Sequence, residues 1–271
     1  MKHAQAVIGI DIGGTKISAA LFQADGQILR KETQLLNQRK GYVVIDMISN
    51  MVRSLLHYSR NRTYKVTAIG ACIPGIYNPV KKTVWAPNIQ GWNHIPLLEE
   101  LKNRLEIPQI KLIIESDRSC YILGEIWKGA AKGCTDAIFI AVGTGIGAGI
   151  LSNGRIINGN SGIAGAIGWM AMEPPYLNKY DSCGNFEYYA SGDGIARSAV
   201  ETLRIKKASH STLASIPCDQ LTAHHVFDAY TKKDPVATEV IEKAIRHWGM
   251  SVANLVSIFN PQKIIFGGGL F

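Results

Sequence analysis

The sequence predicts an α/β protein made of two related domains, each built on a mixed β-sheet. Three observations carry this expectation. A buried apolar run, a glycine-rich turn, a returning strand and a tight hairpin follow one another near the start of the chain, and the same succession returns from Ala137. Segments with apolar residues at helical spacing separate the later strands. The chain has 271 residues, 46% of them hydrophobic, enough to bury a substantial core in one large or two modest domains. The expected division is 1–114 and 115–271.

The elements follow in order. Ala6-Val7-Ile8-Gly9-Ile10 is a short apolar run ending at Asp11, as a buried strand would. Ile12-Gly13-Gly14-Thr15-Lys16 is a tight turn, Ile17 to Phe22 a second strand, Ala24-Asp25-Gly26-Gln27 a hairpin turn, and Ile28 to Thr33 a third strand. This strand–turn–strand start differs from the strand–loop–helix of a dinucleotide fold. Tyr42 to Tyr58 carries apolar residues at Val44, Ile45, Ile48, Val52, Leu55 and Leu56, which is helical spacing. Val66 to Ile73 is a strand closed by Pro74-Gly75, Leu97 to Leu105 a helix, Ile110 to Ile114 a strand, and Ser119 to Lys128 a helix. In the second half, Ala137 to Val142 is a strand, Gly143-Thr144-Gly145-Ile146-Gly147 a turn, Ala148 to Leu151 a returning strand, and Asn153-Gly154 a hairpin signal. Glu187 to Ile205, Leu221 to Thr231 and Ala237 to Ile258 read as helices, and Lys263 to Phe266 as a last strand before Gly267-Gly268-Gly269.

Four segments carry chemistry, each with a plainer reading beside it. In Asp11-Ile12-Gly13-Gly14-Thr15-Lys16, bare glycine backbone can aim N–H groups at phosphate oxygens. Thr15 offers a hydroxyl, Lys16 a positive charge, and Asp11 a carboxylate for hydrated magnesium. The plainer reading is a hairpin turn. Gly143-Thr144-Gly145-Ile146-Gly147 is a second such turn, and the pairing of the two strengthens the phosphate reading. Gly267-Gly268-Gly269 could let a flat ring lie against backbone, or be a loose tail. In Glu115-Ser116-Asp117, a carboxylate at a strand end could take the proton of an attacking hydroxyl. It also fits a helix N-cap, a role open to Asp117 or Ser116.

Composition removes other classes. The net charge is +8, but the basic residues are scattered, which suits a solvated surface better than a nucleic-acid groove. Five widely spaced cysteines without a CxxC pair suit a reducing cytoplasm. Residues Met1 to Gln5 lack the apolar core of a signal peptide, and no apolar run is long enough to cross a bilayer. His94, His210, His224 and His225 form no zinc set with the cysteines at usual spacing.

Taken in this order, the segments resemble the ROK (repressor, ORF, kinase) family over nearly the whole chain. Val7 to Lys16 looks like its first phosphate motif and Val142 to Gly149 like its second. Ile73-Pro74-Gly75 and Pro87-Asn88-Ile89-Gln90-Gly91-Trp92 resemble its sugar-side loops. Glu115-Ser116-Asp117 with Leu123-Gly124-Glu125 looks like its catalytic segment. The resemblance implies a two-domain actin-like, sugar-kinase (ribonuclease H-like) fold with a nucleotide between the domains and a sugar in the cleft. It implies ATP-dependent phosphorylation of a hexose or amino-sugar hydroxyl. Asp117 would be the base. Asp11, Gly13, Gly14, Thr15, Lys16, Gly143, Thr144, Gly145, Gly147, Gly268 and Gly269 would hold ATP with Mg²⁺. Gly75, Asn88, Ser116, Asp117 and Glu187 would contact the sugar.

The departures from that family are specific. Ser116 stands where it has Asn, and its Glu-x-Gly-His segment is Ala166-Ile167-Gly168-Trp169. The missing Glu usually binds sugar and the missing His usually binds zinc. Its Cys-rich zinc loop is reduced to Ser182-Cys183-Gly184-Asn185-Phe186-Glu187, so no zinc and no other protein-held metal site is expected. The family runs on beyond the glycine run, whereas this sequence stops at Phe271. Its repressor branch carries an N-terminal DNA-binding helix pair, and this sequence opens on the first strand, so sugar and ATP are the expected partners, without nucleic acid or membrane. Room is left for a homodimer. The alternative from another class is a sugar- or nucleotide-binding protein without turnover.

Overall fold

The computed structural model describes residues 4–271; Met1, Lys2 and His3 of the N-terminal reading above lie outside the described residues. The chain forms two compact units. One runs to Cys120 and includes Asn158–Ile163; the other comprises Tyr121–Ile157 and Ala164–Phe271.

The first unit contains β1 (Ala4–Ile12), β2 (Lys16–Gln23), β3 (Ile28–Leu35), α1 (Tyr42–Arg60), β4 (Tyr64–Ile73), β5 (Ile76–Asn78), β6 (Thr83–Trp85), α2 (Leu97–Leu105), β7 (Lys111–Ser116) and the start of α3 (Asp117–Lys128). Alternate residues of β1, namely Ala6, Ile8, Ile10 and Ile12, are buried, the period-two signature of a strand with one face on a core. That core is completed by Val44, Ile45, Ile48, Val52 and Leu55 of α1, the helical stripe legible in the sequence. The sheet order is β3-β2-β1-β4-β7. β1 to β3 are antiparallel hairpins, and β4 and β7 join parallel to β1.

The second unit holds the rest of α3, β8 (Ala137–Val142), β9 (Ile146–Ser152), β10 (Arg155–Ile156), α4 (Asn185–Ala190), α5 (Gly192–Lys206), α6 (Ala223–Thr231), α7 (Pro235–Phe259) and β11 (Lys263–Gly267). Its sheet runs β10-β9-β8-β11, with β11 parallel to β8 and the rest antiparallel. This repeats the order of the first sheet one strand shorter, so the duplicated rhythm of the sequence is a duplicated topology. A separate core, including Ile138, Ile140, Val142, Phe186, Ile195 and Ile241, lies within this unit.

Two local expectations are corrected. The single helix read over Glu187–Ile205 is two helices, α4 and α5, broken at Ser191. Ser191 adopts extended backbone (φ −81°, ψ 171°) and its hydroxyl accepts the Gly194 N–H at 3.0 Å, a side-chain N-cap. Gly192 and Gly194 follow because a Cβ there would meet the Gly143 carbonyl oxygen at 2.9 Å and the Glu187 carbonyl oxygen at 2.4 Å. The turn read as Gly143–Gly147 is shorter: Ile146 and Gly147 already belong to β9, where Gly147 pairs with Ala141. The β5–β6 hairpin was not foreseen, since its strands are three residues each.

Candidate active site

In the first unit the parallel strands β1, β4 and β7 end side by side. Their register sets Asp11 beside Cys72 and Cys72 beside Glu115, one lateral row at the carboxyl ends of the strands. Ligands of open α/β sheets gather beyond such ends. Asp117 follows one step past β7, as the first residue of α3.

The cap question is resolved by geometry. The Ser116 hydroxyl accepts the Ser119 N–H at 3.3 Å and shares a 3.1 Å contact with the Ser119 hydroxyl, so Ser116 caps α3. Ser116 is buried, and its hydroxyl is engaged inside the protein. Asp117 is released from capping: its carboxylate accepts the adjacent Arg118 N–H, at 2.8 Å. Burial is the main force on that carboxyl and pushes its pKa up; the Arg118 N–H and charge pull it down, and the Asp11 charge pushes it up again. Asp11 and Asp117 therefore feel each other's field. Cys72 lies against Cys120, whose contact, with burial, pushes the Cys72 thiol up.

The first glycine turn is closed by a Gly13 N–H donating to the Lys16 carbonyl at 2.9 Å, and the Thr15 carbonyl accepts the Leu36 N–H at 2.8 Å. Gly14, Thr15 and Lys16 are exposed. A Cβ on Gly14 would sit 3.1 Å from the Asn88 Cβ, so the turn lies against the loop carrying Asn88. That loop is pinned by Trp92, fully buried, whose indole N–H donates to the Gly41 carbonyl at 3.0 Å. Gly75 could be no other residue, because a Cβ would approach the Trp85 carbonyl oxygen to 2.1 Å. Of the expected first-unit residues, the strand ends and turns thus gather Asp11, Gly13, Gly14, Asn88 and Asp117 on neighbouring segments.

Sequence reasoning missed Arg118. Its guanidinium donates to the Gly162 and Ile163 carbonyls at 3.3 and 3.4 Å, tying Asn158–Ile163 to the first unit. Burial lowers its pKa, opposed by the Asp117 charge. The available signal was an arginine directly after a candidate base.

In the second unit, the turn after β8 is closed by the Gly143 N–H donating to the Gly145 carbonyl at 2.9 Å, and the Gly143 carbonyl accepts the Gly192 N–H at 2.7 Å. Gly268 and Gly269 lie beside it because β11 is the parallel neighbour of β8. Gly268 has φ +111° and leaves no room for a Cβ, 2.4 Å from the Val142 carbonyl oxygen. At Gly143 and Gly269 a Cβ would meet nothing closer than 3.9 Å, so open ground lies beside both strand ends. The glycine run is therefore no loose tail: the Leu270 N–H donates to the Val142 carbonyl at 3.2 Å.

Glu187 sits against this turn. Its carboxylate accepts the Ile146 N–H at 2.6 Å, and a Cβ on Gly145 or Gly168 would meet the same oxygen at 2.8 and 2.9 Å. Burial pushes its pKa up, against the Ile146 hydrogen bond and the Arg197 charge. The 41-residue separation of the two partners hid this bond from the sequence. Trp169 is exposed, and the Cys183 sulfur contacts the Gly184 carbonyl at 3.7 Å and an Arg197 nitrogen at 4.0 Å. Among the described residues no three His, Cys, Asp or Glu side chains are grouped to hold a metal ion, and no helix is long and apolar enough to cross a membrane.

Two sheets of common order, each with a glycine turn after its first strand, make this an α/β protein of the actin-like ATPase fold. The ROK family model matches residues 7–271, and the chain belongs to that family. It is 33% identical over 268 residues to a glucokinase of Halalkalibacterium halodurans, covering 97% of this chain and 80% of that one. A ROK glucokinase of Streptomyces griseus, solved with glucose and AMPPNP, superposes with a TM-score of 0.72 at 30% identity, over 98% of this chain and 83% of that one. The chain is also 30% identical to the DNA-binding transcriptional regulator NagC of Escherichia coli, covering 96% of this chain and 63% of the regulator. The relatives thus include both sugar kinases and regulators.

Proposed function

We propose that the protein is an ATP-dependent sugar kinase that phosphorylates a hexose or amino-sugar hydroxyl with Asp117 as general base. The observation that carries this is Asp117 itself: a desolvated carboxylate beyond the parallel strand ends, relieved of capping by Ser116. In this reading the sugar hydroxyl oxygen attacks the γ-phosphorus, its proton passes to Asp117, and the bond to the ADP oxygen breaks. Gly75, Asn88 and Asp117 contact the sugar; Ser116, expected to do so too, has its hydroxyl engaged with Ser119 and caps α3 next to the base. Glu187 contacts the sugar with the part of its carboxylate not bound to Ile146.

The open backbone at Gly143 and Gly269 fits the phosphates and the flat base of ATP, with Gly268 turning the chain between them and Gly14 holding the first turn against Asn88. Thr15, Lys16 and Thr144 complete the polar set. Mg²⁺, when bound, offsets phosphate charge; it keeps most of its water and needs few carboxylates, which exposed Asp11 can satisfy. Five unpaired cysteines suit a reducing cytoplasm.

A second reading, a binder without turnover, is favoured by one observation: Ala166 and Trp169 stand where the family has its sugar-binding Glu and its zinc-binding His. A coupled ADP-release assay over hexoses and amino sugars separates the two. The kinase reading expects sugar-dependent ADP release, reduced about a hundred- to ten-thousand-fold in Asp117→Asn with nucleotide binding retained. Nucleotide and sugar binding without ADP release, or near-normal turnover in Asp117→Asn, would overturn it.

A further inference from the structure

Away from these residues, the second unit has a cavity of about 380 Å³ lined by Glu173, Lys243, Arg246, His247, Gly249 and Met250. Lys243, Arg246, His247 and Met250 fall at i, i+3, i+4 and i+7 of α7, so one helix face supplies most of the wall. His247 is 1% exposed, and its Nδ1 is buried with no hydrogen-bond partner. Buried polar nitrogens in folded proteins are nearly always paired, so an orphan lining a cavity points to a group that arrives there. Its ring is fixed against Tyr189, with centroids 5.5 Å apart.

Charge defines what arrives. Lys243 is already paired with Glu173 at 2.6 Å. Arg246, exposed at the rim, has no ion pair among the described residues. Burial holds the His247 pKa down, to about 4, so the ring is neutral at physiological pH. The wall therefore carries a formal charge of +1 (Lys243 +1, Arg246 +1, Glu173 −1), with a planar guanidinium fork as its free donor. The remaining wall, Gly249 and Met250, is apolar.

We infer that this cavity binds a small organic carboxylate, which sits on Arg246 and accepts a hydrogen bond from His247 Nδ1–H of the neutral ring, with its hydrocarbon part against Met250. A singly charged planar oxyanion matches the guanidinium bidentately, whereas a phosphate dianion would meet Glu173 with too little positive charge.

Butyrate tests this, with butyramide and inorganic phosphate as comparisons, by calorimetric titration of the full chain. The expected result is saturable butyrate binding, with butyramide and phosphate much weaker. Arg246→Gln, an exposed change, should weaken butyrate about tenfold or more, and His247→Phe should weaken it too. Both variants should leave ATP binding unchanged, since neither residue belongs to the proposed kinase machinery. No saturable butyrate binding, equal binding of butyramide, tighter binding of phosphate, or an unchanged affinity in Arg246→Gln would each overturn the assignment. A failure of the kinase assay leaves these measurements untouched.

Discussion

Asp117 concentrates what single residues decide. Because burial disfavours its ionised form, the folded pKa lies above the unfolded one. If Asp117 is the base, as proposed, it works only when ionised, so the acid limb of kcat/KM should fall above the ordinary Asp value; a limb at an ordinary Asp pKa would remove Asp117 as the titrating group. The same shift makes a stability statement. Above the folded pKa the ionised carboxylate destabilises the fold, and below the unfolded pKa that penalty vanishes. Asp117→Asn should therefore raise the Tm at neutral pH, with the gain shrinking as pH falls through the window between the two values; a loss at neutral pH would contradict it. The sequence marked Asp117 as a candidate but left it between base and cap. The Ser116–Ser119 hydrogen bonds show that Ser116 takes the cap, a choice the sequence left open because both residues can cap.

At the scale of elements, most strands and helices were legible because their apolar periodicity is strong, as in β1 and α1. The break between α4 and α5 was not, because it depends on backbone neighbours of Gly192 and Gly194 that periodicity does not encode. The glycine turn after β8 offers a clean test of phosphate contact. Gly145 is unsuited, since any side chain there first meets Glu187. In Gly143→Ala the added methyl meets no protein atom closer than 3.9 Å, so the unfolding free energy should change by less than about 0.5 kcal/mol while ATP weakens about tenfold. Unchanged ATP affinity in Gly143→Ala would remove this turn from the nucleotide site. Gly268→Ala is the contrasting change: its positive φ and the Val142 carbonyl should cost about 1–3 kcal/mol in a denaturant melt, even without nucleotide.

At the scale of the whole molecule, the duplicated order of the two sheets was visible as a repeated rhythm, although the sequences of the repeats differ. The membership of Asn158–Ile163 in the first unit was not visible, because it rests on Arg118 reaching 44 and 45 residues along the chain. If ATP binds as proposed, saturating AMPPNP at about 100 times its Kd should add about 2.7 kcal/mol of stability. Hydrogen exchange should then slow in 142–147 and 267–270; equal protection across both sheets, or none, would count against the nucleotide placement. The strand-end row holding Cys72 also has a practical bearing on probe chemistry. With Cys120 against it and little solvent, that thiol stays protonated and is a poor nucleophile. Cys218 is the exposed cysteine, so a maleimide dye or surface tether would attach there first and leave the strand ends unmodified.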